Sequence, residues 1–313
     1  MTAIRTQDLV KRYGDVVAVN NLDLDVPEHT VFGFLGPNGA GKTTTIKMLT
    51  GFARPTSGQA WVAGEKIGGN ARALWGKIGL LPDVPAFYDW MTGRELLRFA
   101  GQLHGMPESA ISKRIEEVLE LVELRKAARR RVGGYSRGMR QRLGIAQALM
   151  NRPCVLFLDE PTSALDPMGR REVLDLILRL RESATIFLST HILSDVERVC
   201  DMVGIVDKGN LVVLSTVEAL QQKYARSVFE MEFIEDPRPL IGRLSRIPWL
   251  KEAAIVDDAG TSVVRVQATE SERARKELPG LIGSSGLTLT RYEMTLPSVE
   301  DIFMEIMSKR VAA

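Results

Sequence analysis

The stretch Gly36-Pro37-Asn38-Gly39-Ala40-Gly41-Lys42-Thr43-Thr44 limits what this chain can fold into more than any other. It fits G-x-x-x-x-G-K-[ST], the pattern of a phosphate-binding loop. Such a loop works between a buried strand and a helix. Its glycines let the backbone curl and aim N–H groups inward, and the helix N-terminus adds partial positive charge. Residues 30–35 are a short apolar run suited to a buried parallel strand. Beyond the loop, Ile46, Met48 and Leu49 recur at near-helical spacing, and the run stops before Gly51. In that setting Lys42 can reach the β- and γ-phosphates of a nucleotide, and the Thr43 hydroxyl can ligate Mg²⁺. The plain alternative, a glycine-rich turn that happens to carry a lysine, does not account for the flanking strand and helix.

Size and composition bound the rest. The 313 residues suffice for one large domain and a small one. With 45% hydrophobic and 26% charged residues, the make-up is that of an ordinary globular protein. A net charge of +2 gives no reason to expect a nucleic-acid partner. No window approaches the roughly 18 unbroken apolar residues of a membrane span, and the first residues lack the apolar core of a secretory signal. Cys154 and Cys200 sit among apolar neighbours and read as reduced core residues of a cytosolic protein.

Along the chain, residues 4–26 look like edge strands, with Leu22, Leu24 and Val26 alternating with Asp23 and Asp25. Tyr13, before the turn Gly14-Asp15, either offers its ring to a base or packs a strand end. Short strands are expected over 59–62 and 78–81, and an aromatic-bearing loop over 82–91. Thr92-Gly93-Arg94-Glu95 is a capping box for a helix to about residue 105, and a second helix follows over about 108–124. The basic run 125–131 reads as a solvated helix end, with an acidic lipid surface or a partner as the alternative. Ser136 stands where a helix N-cap belongs. Strands over 155–158 and 185–189 alternate with helices, so the core sheet is expected to be largely parallel. Asp166-Pro167 opens the helix between them. From about residue 224 the order becomes β-α-β-β-α-β plus a last helix, the split order of ferredoxin-like units, with a hairpin turn at Asp258-Ala259-Gly260. No catalytic cluster stands out there, and a small regulatory or docking domain is the expectation.

Four further clusters accompany the loop. Asp159 and Glu160 end a buried strand, where ATPases of this loop class place a carboxylate on the Mg²⁺ shell and a neighbour that polarises water. His191 lies just past another apolar strand and could hydrogen-bond a γ-phosphate or simply end the strand. Ser136 and the amides around Gly138 could bind an anion at a helix start or merely cap it. Ser163-Ala164-Leu165-Asp166 is locally only a loop and cap.

Taken together and in this order, Tyr13, residues 36–43, Tyr135-Ser136-Arg137-Gly138-Met139, Asp159-Glu160-Pro161, Ser163-Ala164-Leu165-Asp166 and His191 resemble an ATP-binding cassette subunit over about the first 220 residues. The chain is similar to the ATPase subunits of ABC-2 exporters of the drug-resistance kind, and Leu296-Pro297-Ser298-Val299-Glu300-Asp301-Ile302-Phe303 is similar to the C-terminal extension of that group. The resemblance implies an α/β cassette over 1–223, with a mainly parallel core sheet, an antiparallel N-terminal sheet and a helical subdomain. A small α+β domain follows over 224–313. It implies ATP and Mg²⁺ as cofactors and a head-to-tail homodimer, with each ATP between the loop of one copy and the 135–139 stretch of the other. It implies Tyr13 as adenine platform, Asp159 on the Mg²⁺ shell, Glu160 as general base, His191 as γ-phosphate sensor and Asp166 as the link between sites. It further implies a separate integral-membrane permease, a place on the cytoplasmic face of the membrane, and export.

Two departures bear on this. The usual signature is Leu-Ser-Gly-Gly-Gln, and here Arg137 replaces the first glycine and Met139 the glutamine. Arg137 either adds a charge-assisted phosphate contact or points outward. Asp83 stands where the family carries a glutamine, and a carboxylate is a competent Mg²⁺ ligand. The competing reading is a non-transport cassette ATPase acting on DNA or ribosomes. Such proteins usually carry two cassettes, a long coiled coil or a basic face, none of which is evident here.

Overall fold

The structure, a computed structural model, describes residues 1–163, 165–224, 227–258 and 261–311 and divides into two units, Met1–Val217 and Glu218–Ala313. In chain order the first holds β1 (Thr2–Tyr13), β2 (Val16–Pro27), β3 (Val31–Leu35), α1 (Lys42–Leu49), β4 (Ser57–Val62), β5 (Glu65–Lys66), α2 (Ala71–Lys77) and β6 (Ile78–Leu81). It continues with α3 (Gly93–Leu103), α4 (Glu108–Leu121), α5 (Arg137–Ala148), β7 (Val155–Asp159), α6 (Pro167–Leu180), β8 (Thr185–Thr190), α7 (Leu193–Val199), β9 (Met202–Asp207) and β10 (Asn210–Thr216).

The core sheet has six strands in the order β10-β9-β3-β8-β7-β6, parallel except for β10 against β9. β3, β7 and β8 are buried at every residue, as strands covered on both faces must be. A second, antiparallel sheet runs β2-β1-β4-β5. Leu22, Leu24 and Val26 of β2 point inward and Asp23 and Asp25 outward, as their alternation predicts. β1, however, lies inside this sheet between β2 and β4, so β2 alone of the pair is an edge. Helix α1 lies between the two sheets, touching β2 and β4 on one side and β7 and β8 on the other. There Ile46, Met48 and Leu49 pack with Phe32, Phe34, Phe157 and Phe187, whose rings lie 5.2–6.2 Å apart. Burying that much aromatic surface fixes α1, and hence the loop before it, against the sheet.

The other face of the core sheet is covered by α3 to α6 through Leu97, Ile111, Val118, Leu143 and Ile177. The capping box forms in full. Thr92 Oγ1 accepts from the Glu95 amide at 3.2 Å, and the Thr92 amide donates to Glu95 Oε2 at 2.8 Å. Glu95 is thereby held ionised below the usual carboxylate range by its hydrogen bonds from Thr92. Helices α3 and α4 stop at Leu103 and Leu121, short of the expected ends. The basic run is not the end of α4, because Arg125–Ala127 form a separate 3₁₀ turn. α2, capped by the Asn70 side chain, was not legible as a helix. The cysteine expectation also needs correction. Cys154 is exposed although its backbone bonds Lys77 and Thr185, while Cys200 is partly buried and its thiol is pushed well up by burial.

The second unit begins at α8 (Val217–Lys223), which belongs with it from Glu218 onward, whereas the sequence expectation placed the boundary after Lys223. Its elements are β11 (Ser227–Phe233), α9 (Arg238–Leu244), β12 (Leu250–Asp258), β13 (Thr261–Ala268), α10 (Ser271–Gly283), β14 (Leu289–Thr295) and α11 (Val299–Val311). The antiparallel order β12-β13-β11-β14 is that of a ferredoxin-like unit. Phe229, Met231, Val264 and Val266 face Leu240, Leu244, Ala274 and Leu278 of the two helices. Ala259 and Gly260 of the expected hairpin turn lie outside the described residues.

Candidate active site

Parallel pairing decides which side chains meet. Leu35 at the end of β3 lies opposite Thr190 at the end of β8, and Ser189 lies opposite Asp159 at the end of β7. The glycine loop, His191 and the Asp159-Glu160 pair therefore leave the sheet side by side at its carboxyl edge, where open α/β sheets bind ligands.

The loop needs its glycines at defined places. Gly39 and Gly41 have φ of 82° and 102°, the left-handed region. A Cβ on Gly36 would lie 2.3 Å from the Val206 carbonyl oxygen, and one on Gly41 2.3 Å from that of Ala18. Helix α1 then starts at Lys42 without any side-chain cap, which leaves its first N–H groups for a ligand. Pro37, Asn38, Gly39 and Thr43 are exposed, Thr44 is half-buried, and Ala40 is buried with its amide donating to the Pro37 carbonyl at 3.2 Å.

Lys42 is buried and sits on the loop it serves. Its Nζ donates to the carbonyls of Gly36 at 2.7 Å and Pro37 at 3.3 Å, and lies 3.3 Å from Glu160 Oε1. Glu160 has φ +48°, an uncommon conformation for a residue with a Cβ. Its amide donates to the Ser189 carbonyl at 2.9 Å, which holds that turn against β8. Its other carboxylate oxygen, Oε2, is 2.8 Å from His191 Nδ1. Asp159 Oδ1 accepts from Ser189 Oγ at 2.8 Å. One carboxylate thus joins the loop lysine to the strand-end histidine, and the neighbouring one is oriented by a serine.

The remaining predicted residues fall around this centre. Tyr13 ends β1 half exposed, with Lys11 Nζ 4.8 Å over its ring. Asp83 is exposed, and its Oδ1 accepts from Ser163 Oγ at 3.2 Å. Asp166 caps α6, accepting from the Gly169 amide at 3.0 Å, and Ala164 lies outside the described residues. Ser136 caps α5, accepting from the Met139 amide at 3.2 Å. Tyr135 turns inward, its hydroxyl donating to the Ala127 carbonyl at 2.8 Å, and burial pushes its phenol up. Arg137 is exposed, and Gly138 and Met139 are half-buried. Among the described residues, no hydrogen bond or ion pair joins residues 135–139 to the glycine loop, Asp159, Glu160 or His191.

Sequence reasoning missed Ser189 and a buried network beside it. Asp195 accepts from Thr162 Oγ1 at 2.5 Å and from Arg170 Nε at 2.7 Å, tying the turn after Glu160 to α6 and α7. A polar pair, Ser189-Thr190, closing the apolar run Ile186-Phe187-Leu188 was the available signal for Ser189. Among the described residues, no three His, Cys, Asp or Glu side chains gather as a metal-binding group. The hard oxygens of Thr43 and Asp159 fit Mg²⁺, which takes one or two protein ligands and completes its shell with phosphate and water. Among the described residues, no helix is long and apolar enough to cross a membrane.

Comparison with known proteins agrees with this geometry. A family profile described as ABC transporter matches residues 19–163. An uncharacterized ABC transporter ATP-binding protein, YxlF of Bacillus subtilis, is 42% identical over 300 residues, 96% of this chain and 98% of its own. The bacitracin transport ATP-binding protein BcrA of Bacillus licheniformis is 36% identical over 307 residues, 97% of each chain. A solved ATP-binding subunit of an ABC transporter superposes with a TM-score of 0.65 at 27% identity, covering 71% of this chain and 93% of that one. On this identity, maintained along nearly its whole length, the chain belongs to the ATP-binding subunits of ABC transporters, a family of ATPases.

Proposed function

We propose that this ATPase works as a head-to-tail pair of identical copies and drives a separate integral-membrane permease in export, from the cytoplasmic face of the membrane. The observation that carries the pairing is the split within one chain. Lys42, Glu160 and His191 converge beside the glycine loop, whereas the α5 N-terminus at Ser136 and Gly138, capped by Ser136 itself, makes no bond to them. A second copy turned end for end brings that stretch to the open side of the loop.

Within each site the residues divide the work. Tyr13 stacks on the adenine. The amides of residues 36–44 and Lys42 hold the phosphates, which requires Lys42 Nζ to leave the Gly36 and Pro37 carbonyls. Thr43 and Asp159 would hold Mg²⁺, with Asp83 as a further oxygen ligand, and the ion would neutralise phosphate charge. Glu160 Oε2 takes the proton of the attacking water, and His191 keeps that carboxylate aimed while facing the γ-phosphate. Ser136, Gly138 and Arg137 close on the phosphates of the partner, and Asp166 reports closure from one site to the other. Export is supported by the bacitracin transport relative and by the similarity of residues 296–303 to the extension of exporter subunits.

Affinity purification of the full chain from solubilised membranes tests the permease. The expected result is a polytopic protein that copurifies and, in vesicles, raises ATP turnover. A chain that is always recovered alone, or that binds nucleic acid in a salt-sensitive way, contradicts it.

A further inference from the structure

β14 is an edge strand whose two charges, Arg291 and Glu293, are of opposite sign and whose sequence has no lysine or proline to guard it. Among the described residues it pairs on one side only, with β11. Proteins blunt such edges with Lys, Pro or short length. β14 is seven residues long, Leu289-Thr290-Arg291-Tyr292-Glu293-Met294-Thr295, and contains neither Lys nor Pro. Leu289, Tyr292 and Met294 are exposed, Met294 at 47%. The opposite edge, β12, carries the exposed Lys251 and Glu252 near its start, and an edge lysine discourages pairing.

The strand is also its own complement. Two copies run antiparallel about a two-fold axis at Tyr292 set Arg291 of each against Glu293 of the other, with Tyr292 facing Tyr292 and Thr290 facing Met294. Opposed unlike charges and aromatic pairs are the cross-strand contacts that stabilise a sheet. Registers one residue off lose both charge pairs. Registers two residues off set Arg291 on Arg291 or Glu293 on Glu293, so the sequence selects one register. The local charge points the same way. The Arg291 guanidinium is shared among Glu230, Glu232 and Glu293, at 3.3, 2.8 and 3.1 Å. Arg265 also lies 2.7 Å from Glu230, so two guanidinium groups face three carboxylates in each copy, and one carboxylate charge stays available to Arg291 of the other.

We propose that β14 pairs with β14 of a second copy of this chain, joining two four-stranded sheets into one of eight strands. One strand edge offers less area than the roughly 1,200 Å² of a standard stable interface, so it is a weak contact. It needs no nucleotide, which keeps its test apart from the ATP-driven pairing proposed above.

The test is disulfide trapping without ATP, using full-length chains carrying Tyr292→Cys at the axis and Cys154→Ser to remove the exposed thiol. The parent pair should cross-link under mild oxidant, and a Lys251→Cys control should not. Adding Arg291→Glu makes the edge acidic, and adding Glu293→Arg makes it basic. Each alone should lose cross-linking about tenfold, and an equimolar mixture should regain it as a heterodimer. Rescue by mixing cannot come from repair within one chain. Equal cross-linking at Lys251→Cys, no recovery in the mixture, or no cross-link in the parent overturns the proposal. Circular dichroism and thermal unfolding of each variant report that both units are folded.

Discussion

Glu160 Oε2 lies 2.8 Å from Nδ1 of His191 while Oε1 of the same carboxylate lies 3.3 Å from Lys42 Nζ. The two contacts pin the side chain between the phosphate loop and the end of β8. Replacing Glu160 with Gln keeps the shape and removes the proton acceptor. Turnover should fall about 10²- to 10⁴-fold while ATP still binds. Steady-state hydrolysis and nucleotide titration measure the two; near-normal turnover would take Glu160 out of the base role.

Asp83 and Arg137 are two of the departures from the family pattern. Asp83→Ala should raise the Mg²⁺ concentration for half-maximal rate, and an unchanged metal titration would leave Asp83 as a partner of Ser163 only. Arg137→Gly should weaken ATP-driven pairing and flatten its salt dependence, by the loss of one charge-assisted contact.

The loop glycines should rank by what a Cβ would meet. At Gly39 a methyl meets open space, so Gly39→Ala should cost only the left-handed strain, about 1–2 kcal/mol. At Gly36 and Gly41 it meets a carbonyl oxygen at 2.3 Å, and the loop must move. Denaturant unfolding should show both costing more than Gly39→Ala, with nucleotide affinity lost in step. An inverted order would mean that the loop is not held against Val206 and Ala18.

The two thiols should behave differently. Cys154 is exposed and should react quickly with a thiol reagent. Cys200 is packed against Gly33, and burial pushes its thiol up, so it should stay unreactive until the chain unfolds. The sign of the linkage follows. Stability from this group is present below the unfolded thiol value of about 8.5 and falls as pH rises beyond it, because only the unfolded chain then releases the proton. Cys200→Ala should flatten alkaline destabilisation; two fast thiols in the native chain would contradict this.

Much of this was legible because it rests on short-range pattern. The glycine loop, the Thr92 capping box, the alternation of β2 and the buried runs of β3, β7 and β8 are each set by neighbours in sequence. What was not legible depends on pairing between distant segments. Nothing local says that β1 lies inside its sheet, that Ser189 turns to Asp159, or that Asp195 gathers Thr162 and Arg170 from other elements. Cys154 misled because apolar neighbours in sequence do not fix the direction of a side chain at a strand entrance. The left-handed backbone of Glu160 is equally invisible in sequence, since sheet and loop impose it.

Light scattering of the Glu160→Gln chain with saturating ATP and Mg²⁺ tests the central claim most directly. The mass should double on adding ATP and return when Ser136→Ala or Lys42→Ala is introduced as well. A monomer at every ATP concentration would contradict a site completed by a second copy.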